Sequence, residues 1–219
     1  MTDALAREQP PCFDDAFRRQ LQTLLRWRRD VRRFRPDPVD PAVVEALIIE
    51  ATLAPSVGNS QPWRFVTVSD PARRVRIVDI FQRCNGQALA GYGGERARLY
   101  AGHKHAGLRE APVHLAVYAD AATEAGHGLG RRTMPETLIY AVVGCVTTLW
   151  LAARARGIGM GWVSIVDPPA VTEALDVPAE WTLIAYLCLG HPEEEHSDPE
   201  LERAGWQERQ DPRRFIVER

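Results

Sequence analysis

The chain has 219 residues, of which 45% are hydrophobic and 26% charged, and this size and composition predict one globular domain, 1–219. The formal net charge of −2 excludes a general electrostatic attraction to nucleic acid or to an anionic membrane, so any anion site must be local. The polar segment 1–11 lacks the apolar run of a signal peptide, and four scattered cysteines predict a reducing cytoplasm and no metal site.

Two helices and a strand are predicted first along the chain. Asp14 or Asp15 can cap a helix whose apolar residues recur at helical spacing and which runs into an arginine cluster. Asp40, followed by proline, is a strong start for a second helix, which ends near Pro55 because the residue before a proline avoids helical angles. The segment Trp63–Val68 has the pattern of a strand.

The middle of the chain is predicted to leave the sheet and then to return to the core as a strand and a long helix. Glycines interrupt a mixed polar helical pattern over about 81–110, which indicates a lid-like excursion outside the sheet, mobile enough to open and close. A strand is predicted over Val113–Ala119. A long helix follows at about Pro135–Arg156, and because it is apolar nearly all round, it is expected in the core or across a dimer interface rather than in a membrane.

The last third predicts two more strands and a tail. A strand over Met160–Val166 precedes a short helix capped by Asp167, and Thr182–Leu189 is apolar on both faces, so it is expected at the centre of the sheet. A charged tail follows over about 191–219, with Trp206 as its one large anchor. The elements lack a regular βαβ rhythm, which favours an α+β fold.

Two polar stretches are candidates for ligand binding. Arg28, Arg29 and Arg32 can present several guanidinium donors to one phosphate, although arginines there also complement the negative end of the first helix. Between the second helix and the first strand, two prolines fix a loop that suits a planar polar ligand, or that is an ordinary connection with Asx-type turns. The polar and proline positions of that loop are Pro55, Ser56, Asn59 and Gln61.

A third stretch, 157–164, contains closely spaced glycines. It follows a helix and opens a strand, which is the reverse of a Rossmann fingerprint, so that interpretation is excluded. We expect the glycines to let a ligand lie against bare backbone beside Trp162 and Ser164. Ser164 lacks the glycine elbow of a hydrolase nucleophile, and His103 and His105 are interpreted as solvated lid residues.

Together these stretches resemble the FMN-dependent nitroreductases. The pattern is an Arg-Arg-x-x-Arg after the first helix, a Pro-Ser-x-x-Asn-x-Gln-Pro-Trp loop and a late Gly-x-Gly-x-x-Trp-like strand. Within that superfamily the chain is similar to the 5,6-dimethylbenzimidazole synthase (BluB) family, because Asp30 stands where ordinary nitroreductases usually have serine. The resemblance covers about 26–209, with departures in the lid at 103–107 and around 137–141.

The resemblance implies a central, mainly antiparallel sheet flanked by helices, and a homodimer with its active sites at the interface. It implies reduced FMN as substrate, dioxygen as co-substrate, and NAD(P)H acting only through a separate flavin reductase. The products would be 5,6-dimethylbenzimidazole, the lower ligand of cobalamin, and erythrose 4-phosphate.

The resemblance also assigns roles to residues. Asp30 and Ser164 would be catalytic, as general base and hydrogen-bond donor. The residues implied in flavin binding are Arg28, Arg29, Asp30, Val31, Arg32, Pro55, Ser56, Asn59, Gln61, Gly161, Trp162, Ser164 and Arg209. Two alternatives stay open: a conventional NAD(P)H-dependent nitroreductase or flavin reductase that keeps its FMN, and a non-enzymatic flavin- or phosphate-binding regulator.

Overall fold

A computed structural model describes residues 9–103 and 105–219. Within them the helices are α1 (Asp15–Trp27), α2 (Pro41–Ala51), α3 (Pro71–Ala90), α4 (Gly94–Gly102), α5 (Thr137–Ala155), α6 (Pro168–Leu175) and α7 (Glu200–Arg203). The strands are β1 (Trp63–Thr67), β2 (Val113–Asp120), β3 (Gly159–Val163) and β4 (Trp181–Gly190). Short 3₁₀ turns occupy Val57–Asn59, Ala125–Gly128 and Pro212–Phe215.

The four strands form one antiparallel sheet in the order β1-β2-β4-β3. β4 is therefore internal, as its apolar sequence predicts, and β2 shares that position. Trp63 on β1 pairs with Ala119, which pairs in turn with Thr182 at the start of β4. At the other end of β4, Leu189 pairs with Met160 on β3. The α+β fold predicted from the sequence is confirmed.

Helices cover both faces of the sheet, because alternate strand residues point to opposite sides. On one face α2 and α5 pack on a core that includes Leu115, Leu187 and Met160. On the other face α3 and α6 pack on a core that includes Tyr118 and Tyr186. By length and composition α5 could cross a membrane, but here its buried side packs against β1 to β4 and α2 as a core helix.

Helix α3 is the largest element that the sequence analysis did not assign. Its start carries the same signal as α2, since Asp70 accepts a hydrogen bond from the backbone of Ala72 and Pro71 opens the first turn. The segment predicted as a lid, about 81–110, contains the end of α3 and all of α4, and its described residues after Gly102 belong to no helix or strand. Its mobility stays a prediction.

Candidate active site

Asp30 lies on the free edge of β3. The segment around it bridges to Met160 in parallel fashion, and the Val31 amide donates to the Met160 carbonyl at 3.1 Å. The Asp30 Oδ1 atom accepts a hydrogen bond from the Trp162 amide at 3.0 Å. One backbone hydrogen bond and one side-chain hydrogen bond thus attach this segment to the edge of β3, and they fix the position of the Asp30 carboxylate.

The glycines of β3 serve this close approach. A Cβ atom on Gly161 would lie 2.2 Å from the Val31 carbonyl oxygen, and one on Gly159 would lie 2.9 Å from a Val31 methyl. The expectation that a ligand lies against this bare backbone is therefore wrong for that side of the strand, because the chain's own Val31 fills the space. The approach of Gly161 and Trp162 to a flavin ring stays a prediction.

Arginines from two parts of the chain meet at one cavity. Arg28 and Arg29, at the end of α1, and Arg209, in the tail, line a cavity of about 480 Å³. Arg29 is held by the Ser197 carbonyl, to which its Nε and Nη2 donate at 3.1 and 2.7 Å. Burial, followed by repulsion from Arg28 and Arg209, lowers the pKa of Arg29. The cavity is also lined by Arg26 and by two carboxylates, Asp198 and Glu202, so four arginines outnumber two acidic groups, and this excess of positive charge suits an anion.

Arg32 points away from that cavity and toward Asp30. Its Nε atom lies 2.7 Å from Asp30 Oδ2 and 4.0 Å from a carboxylate oxygen of Glu200. Glu200 also bonds Arg33 at 3.0 Å, which raises the pKa of Arg33. Both Asp30 oxygens are thus engaged, one by the Trp162 amide and one by Arg32, and the tail helix α7 supports the arrangement.

The loop before β1 has unusual backbone geometry. Gly58, Asn59 and Gln61 have φ of +58°, +54° and +46°, in the left-handed region that residues with a Cβ rarely adopt. Ser56 Oγ accepts from the Gln61 amide at 3.1 Å, and the Gln61 side chain donates to Asn59. Strain of this kind concentrates at binding sites. Of the three, only Gly58 adopts this conformation without a steric cost from a Cβ atom.

The loop and Asp30 lie at opposite corners of the sheet. β1 and β3 are its two edges, about 14 Å apart at about 4.8 Å per strand. Trp63 is level with Thr182 and Met160 with Leu189, an offset of about 23 Å along β4 at about 3.3 Å per residue. The predicted ring-binding loop and the predicted phosphate-binding arginines are therefore not brought together within one chain.

Ser164 is exposed and follows the last residue of β3. It lies two residues beyond Trp162, whose amide binds Asp30, which is about 7 Å along an extended chain. The strand ends at Val163, three residues earlier than predicted. Ser164 and Asp30 are therefore neighbours on one edge of the sheet without a hydrogen bond between them.

The histidines predicted to be solvated are instead half-buried in an aromatic cluster. His105 stacks on Tyr100 with ring centroids 4.1 Å apart, and its Nε2 lies 2.8 Å from the Tyr100 carbonyl. The His103 ring centroid lies 6.2 Å from that of Trp206 in the tail, and the Trp206 ring also contacts Tyr92. The predicted role of Trp206 as an anchor is confirmed, since it joins the tail to the lid.

Comparison with known proteins decides the family. The Nitroreductase family model matches residues 25–191, well over half of the chain. The chain belongs to the nitroreductase family. It is 62% identical over 199 residues to 5,6-dimethylbenzimidazole synthase of Rhodospirillum rubrum, covering 91% of this chain and 94% of that protein. It is 47% identical to a synthase of the same name from Rhodobacter capsulatus, covering 90% and 95%.

The fold of this nitroreductase-family chain also matches solved structures. An iodotyrosine deiodinase crystallised with FMN and 3-iodo-L-tyrosine superposes with a TM-score of 0.68 and 24% identity, covering 80% of this chain and 91% of that one. At this identity the likeness concerns the fold alone. The resemblance drawn from the arginine cluster, the glutamine loop and Asp30 is confirmed by the curated relatives.

Sequence patterns assigned no role to several residues that shape this nitroreductase-family site. Trp150 on α5 lies under the Arg28 guanidinium, and Ser197 and Glu200 hold the arginine segment from the tail. Near the loop, the buried Ser60 hydroxyl and one nitrogen of Arg131 have no hydrogen-bond partner among the described residues. Trp150, Ser197 and Glu200 lack a local motif, because the arginines that they contact lie more than 100 residues away in the chain.

Proposed function

We propose that the chain is a 5,6-dimethylbenzimidazole synthase, which fragments reduced FMN in the presence of dioxygen. The observation that carries this proposal is Asp30, a carboxylate held at the sheet edge by the Trp162 amide beside a cluster of arginines. The 62% identity to the Rhodospirillum rubrum synthase over 94% of that protein supports it. The products would be 5,6-dimethylbenzimidazole and erythrose 4-phosphate.

The residues around the arginine cavity fit the phosphate of FMN. Arg28 and Arg209 repel Arg29, and a phosphate in the cavity of about 480 Å³ that the three line would relieve that repulsion while accepting charge-assisted hydrogen bonds. Each such bond contributes about 1.5–3 kcal/mol. When bound, reduced FMN supplies both the carbon framework of the product and the electrons that dioxygen takes up.

Asp30 would remove a proton from the ribityl side of the substrate. The Trp162 amide fixes the Asp30 Oδ1 atom and Arg32 binds its Oδ2 atom, and each oxygen keeps a second lone pair that can accept the proton. Val31 and Gly161 hold this segment in register against β3. Ser164, exposed on the same edge, would donate a hydrogen bond to the reacting ring.

The lid would exclude water from this edge. Tyr92 and Tyr100 contact Trp206, and Arg96 donates to the Trp206 carbonyl at 2.6 Å, so lid and tail form one wall. The dryness matters because reduced flavin and dioxygen in open water end as oxidised flavin and hydrogen peroxide. The residues of this wall therefore decide how much substrate is converted rather than lost.

A second copy of the chain would complete the site. The loop residues Pro55, Ser56, Asn59 and Gln61 would frame the flavin from the partner subunit, since within one chain they lie at the far corner of the sheet. Exposed apolar side chains on α2 and α5, including Ile49, Ile139 and Val143, offer a surface for that contact. A cytoplasmic location, with reduced FMN supplied by a separate NAD(P)H-dependent flavin reductase, completes the proposal.

The test is a single-turnover experiment. The protein is loaded with reduced FMN without oxygen, air is admitted, and the small molecules are analysed by mass spectrometry. We expect 5,6-dimethylbenzimidazole from the unmodified chain and at least about a hundredfold less from Asp30→Asn, because the amide cannot take up the proton. Asp37→Asn, which changes an exposed aspartate paired with Arg35, is the matched control and should retain the yield.

The conventional reductase remains the second candidate. A conventional reductase would share two features with the synthase, the cluster of Arg28 and Arg29 and the Gln61 loop. Asp30 is the residue that distinguishes the two enzymes. If the experiment returns intact oxidised FMN and hydrogen peroxide from the unmodified chain, the synthase proposal is wrong and NAD(P)H turnover is the next assay.

A further inference from the structure

Arg28 differs from its neighbour Arg29 in how it is held. The carbonyl of Ser197 anchors Arg29 through two hydrogen bonds. The Arg28 side chain makes no hydrogen bond or ion pair with any residue that the structure describes, yet it is half-buried. Its Cζ atom lies 4.7 Å from the centroid of the Trp150 ring. The indole face thus contacts the guanidinium without a hydrogen bond, and no described residue takes up its N–H donors.

Trp150 is a fixed platform for this contact. It lies on α5, half-buried, and packs against the core beneath the sheet. Its ring also lies 6.4 Å from that of Trp162, the residue whose amide binds Asp30. A core helix thus presents an aromatic face to Arg28, which itself lines the arginine cavity.

The charges around Arg28 explain why such a platform is needed. Arg26, Arg29 and Arg209 line the same cavity as Arg28, against two carboxylates, Asp198 and Glu202, and an excess of like charges drives a long flexible side chain out into water. An aromatic face attracts a guanidinium through its quadrupole without consuming any N–H donor. Trp150 can therefore hold Arg28 against this repulsion and leave its N–H groups facing an anion, which a carboxylate partner could not do.

We propose that Trp150 is a positioning residue for phosphate recognition, which acts by holding Arg28 at the arginine cavity. The proposal rests on the proposed function, because it takes the phosphate of FMN as the ligand. It predicts an effect confined to the phosphate end of the ligand.

The experiment compares oxidised FMN with riboflavin, which lacks the phosphate, by quenching of flavin fluorescence. Trp150→Leu should weaken FMN binding about tenfold and leave riboflavin binding within about twofold of the unmodified chain. Trp150→Phe, which keeps a smaller aromatic face, should recover part of the loss. Trp181→Leu is the matched control, since it removes another half-buried tryptophan, whose ring centroid lies 5.9 Å from the Arg64 Cζ atom. This variant should leave the ratio of FMN to riboflavin affinity unchanged.

A double-mutant cycle identifies the partner. In an Arg28→Ala background, Trp150→Leu should weaken FMN binding no further, because the residue that it positions is gone. Equal weakening of FMN and riboflavin by Trp150→Leu would show a general structural role and overturn the proposal. A loss with Arg28→Ala but none with Trp150→Leu would overturn it while the phosphate site stands. An unmodified chain that binds both flavins equally would overturn the phosphate site as well.

Discussion

His114 is only 1% exposed although it carries a titratable ring. Its Nδ1 atom lies 2.9 Å from the Tyr186 hydroxyl, and the two side chains sit between the sheet and α3. Burial, followed by the positive charge of Arg74, lowers the pKa of His114 to about 4 from its ordinary value of 6.5. The ring is therefore neutral in the folded protein at every pH at which the enzyme is expected to work.

This lowered pKa predicts a pH dependence of folding. Below pH 6.5 His114 is protonated in the unfolded chain but stays neutral in the folded chain. The free energy of unfolding therefore decreases as the pH falls toward 4. Between about pH 7 and pH 5 the loss amounts to about 2 kcal/mol. Urea titrations at the two pH values should show that His114→Gln lacks this part of the loss.

An exposed histidine supplies the control for that comparison. His127 has a φ of +50°, which asparagine tolerates, so His127→Asn should keep the pH dependence of the unmodified chain. If His114→Gln destabilises the fold equally at both pH values, the ring does not titrate as its burial implies.

At the scale of elements, the attachment of the Asp30 segment to β3 depends on Gly161. An added Cβ would lie 2.2 Å from the Val31 carbonyl oxygen, so the two backbones would have to separate. We expect Gly161→Ala to lower the free energy of unfolding by about 1–3 kcal/mol, as overpacking does. Denaturant unfolding measures the change, and the loss of the Asp30 anchor should lower product yield as well.

Gly86 in α3 provides a matched glycine. A Cβ there meets nothing within 4 Å, and the residue lies inside a helix. Gly86→Ala should therefore stabilise the protein by about 0.5–1 kcal/mol, because alanine loses less backbone entropy on folding. A Gly161→Ala protein as stable as the unmodified chain would mean that the Asp30 segment is not held against the strand.

Elements with local signals were predictable from the sequence. Asp40 and Pro41 predict the start of α2, and β4 is apolar on both faces, which predicts its place inside the sheet. The same Asp-Pro signal starts α3 at Asp70, where we did not use it. Arg28 and Arg29 were identified with their cavity partner Arg209, but only because the family resemblance joined residues about 180 positions apart.

The remaining features depend on packing between distant segments. Three contacts follow from where the segment after α1 meets β3 and α5. Val31 packs against Gly161, Arg32 pairs with Asp30, and Arg28 stacks on Trp150. No periodicity encodes such contacts, because each joins residues more than 100 positions apart or depends on a rotamer choice.

At the scale of the whole molecule, the separation of the two half-sites determines how many chains are needed. The arginine cavity and Asp30 belong to the β3 edge, whereas the strained loop leads into β1 at the far corner. Along β4 alone the two half-sites are offset by about 23 Å, at about 3.3 Å per residue. Under the proposed function, one chain would therefore supply the arginine cavity with Asp30 and its partner would supply the loop, in a dimer related by a twofold axis.

Complementation between two inactive variants tests this arrangement. One chain carries Arg28→Ala and Arg29→Ala, and the other carries Asn59→Ala and Gln61→Ala; each alone should form no product. In a heterodimer purified through two different tags, one site combines both defects, while the other combines an intact arginine cavity with an intact loop. We therefore expect about half the product yield per dimer of the unmodified protein, measured by the same single-turnover assay. If each site were built within one chain, both sites of the heterodimer would be defective, and a purified heterodimer without activity would contradict the shared site.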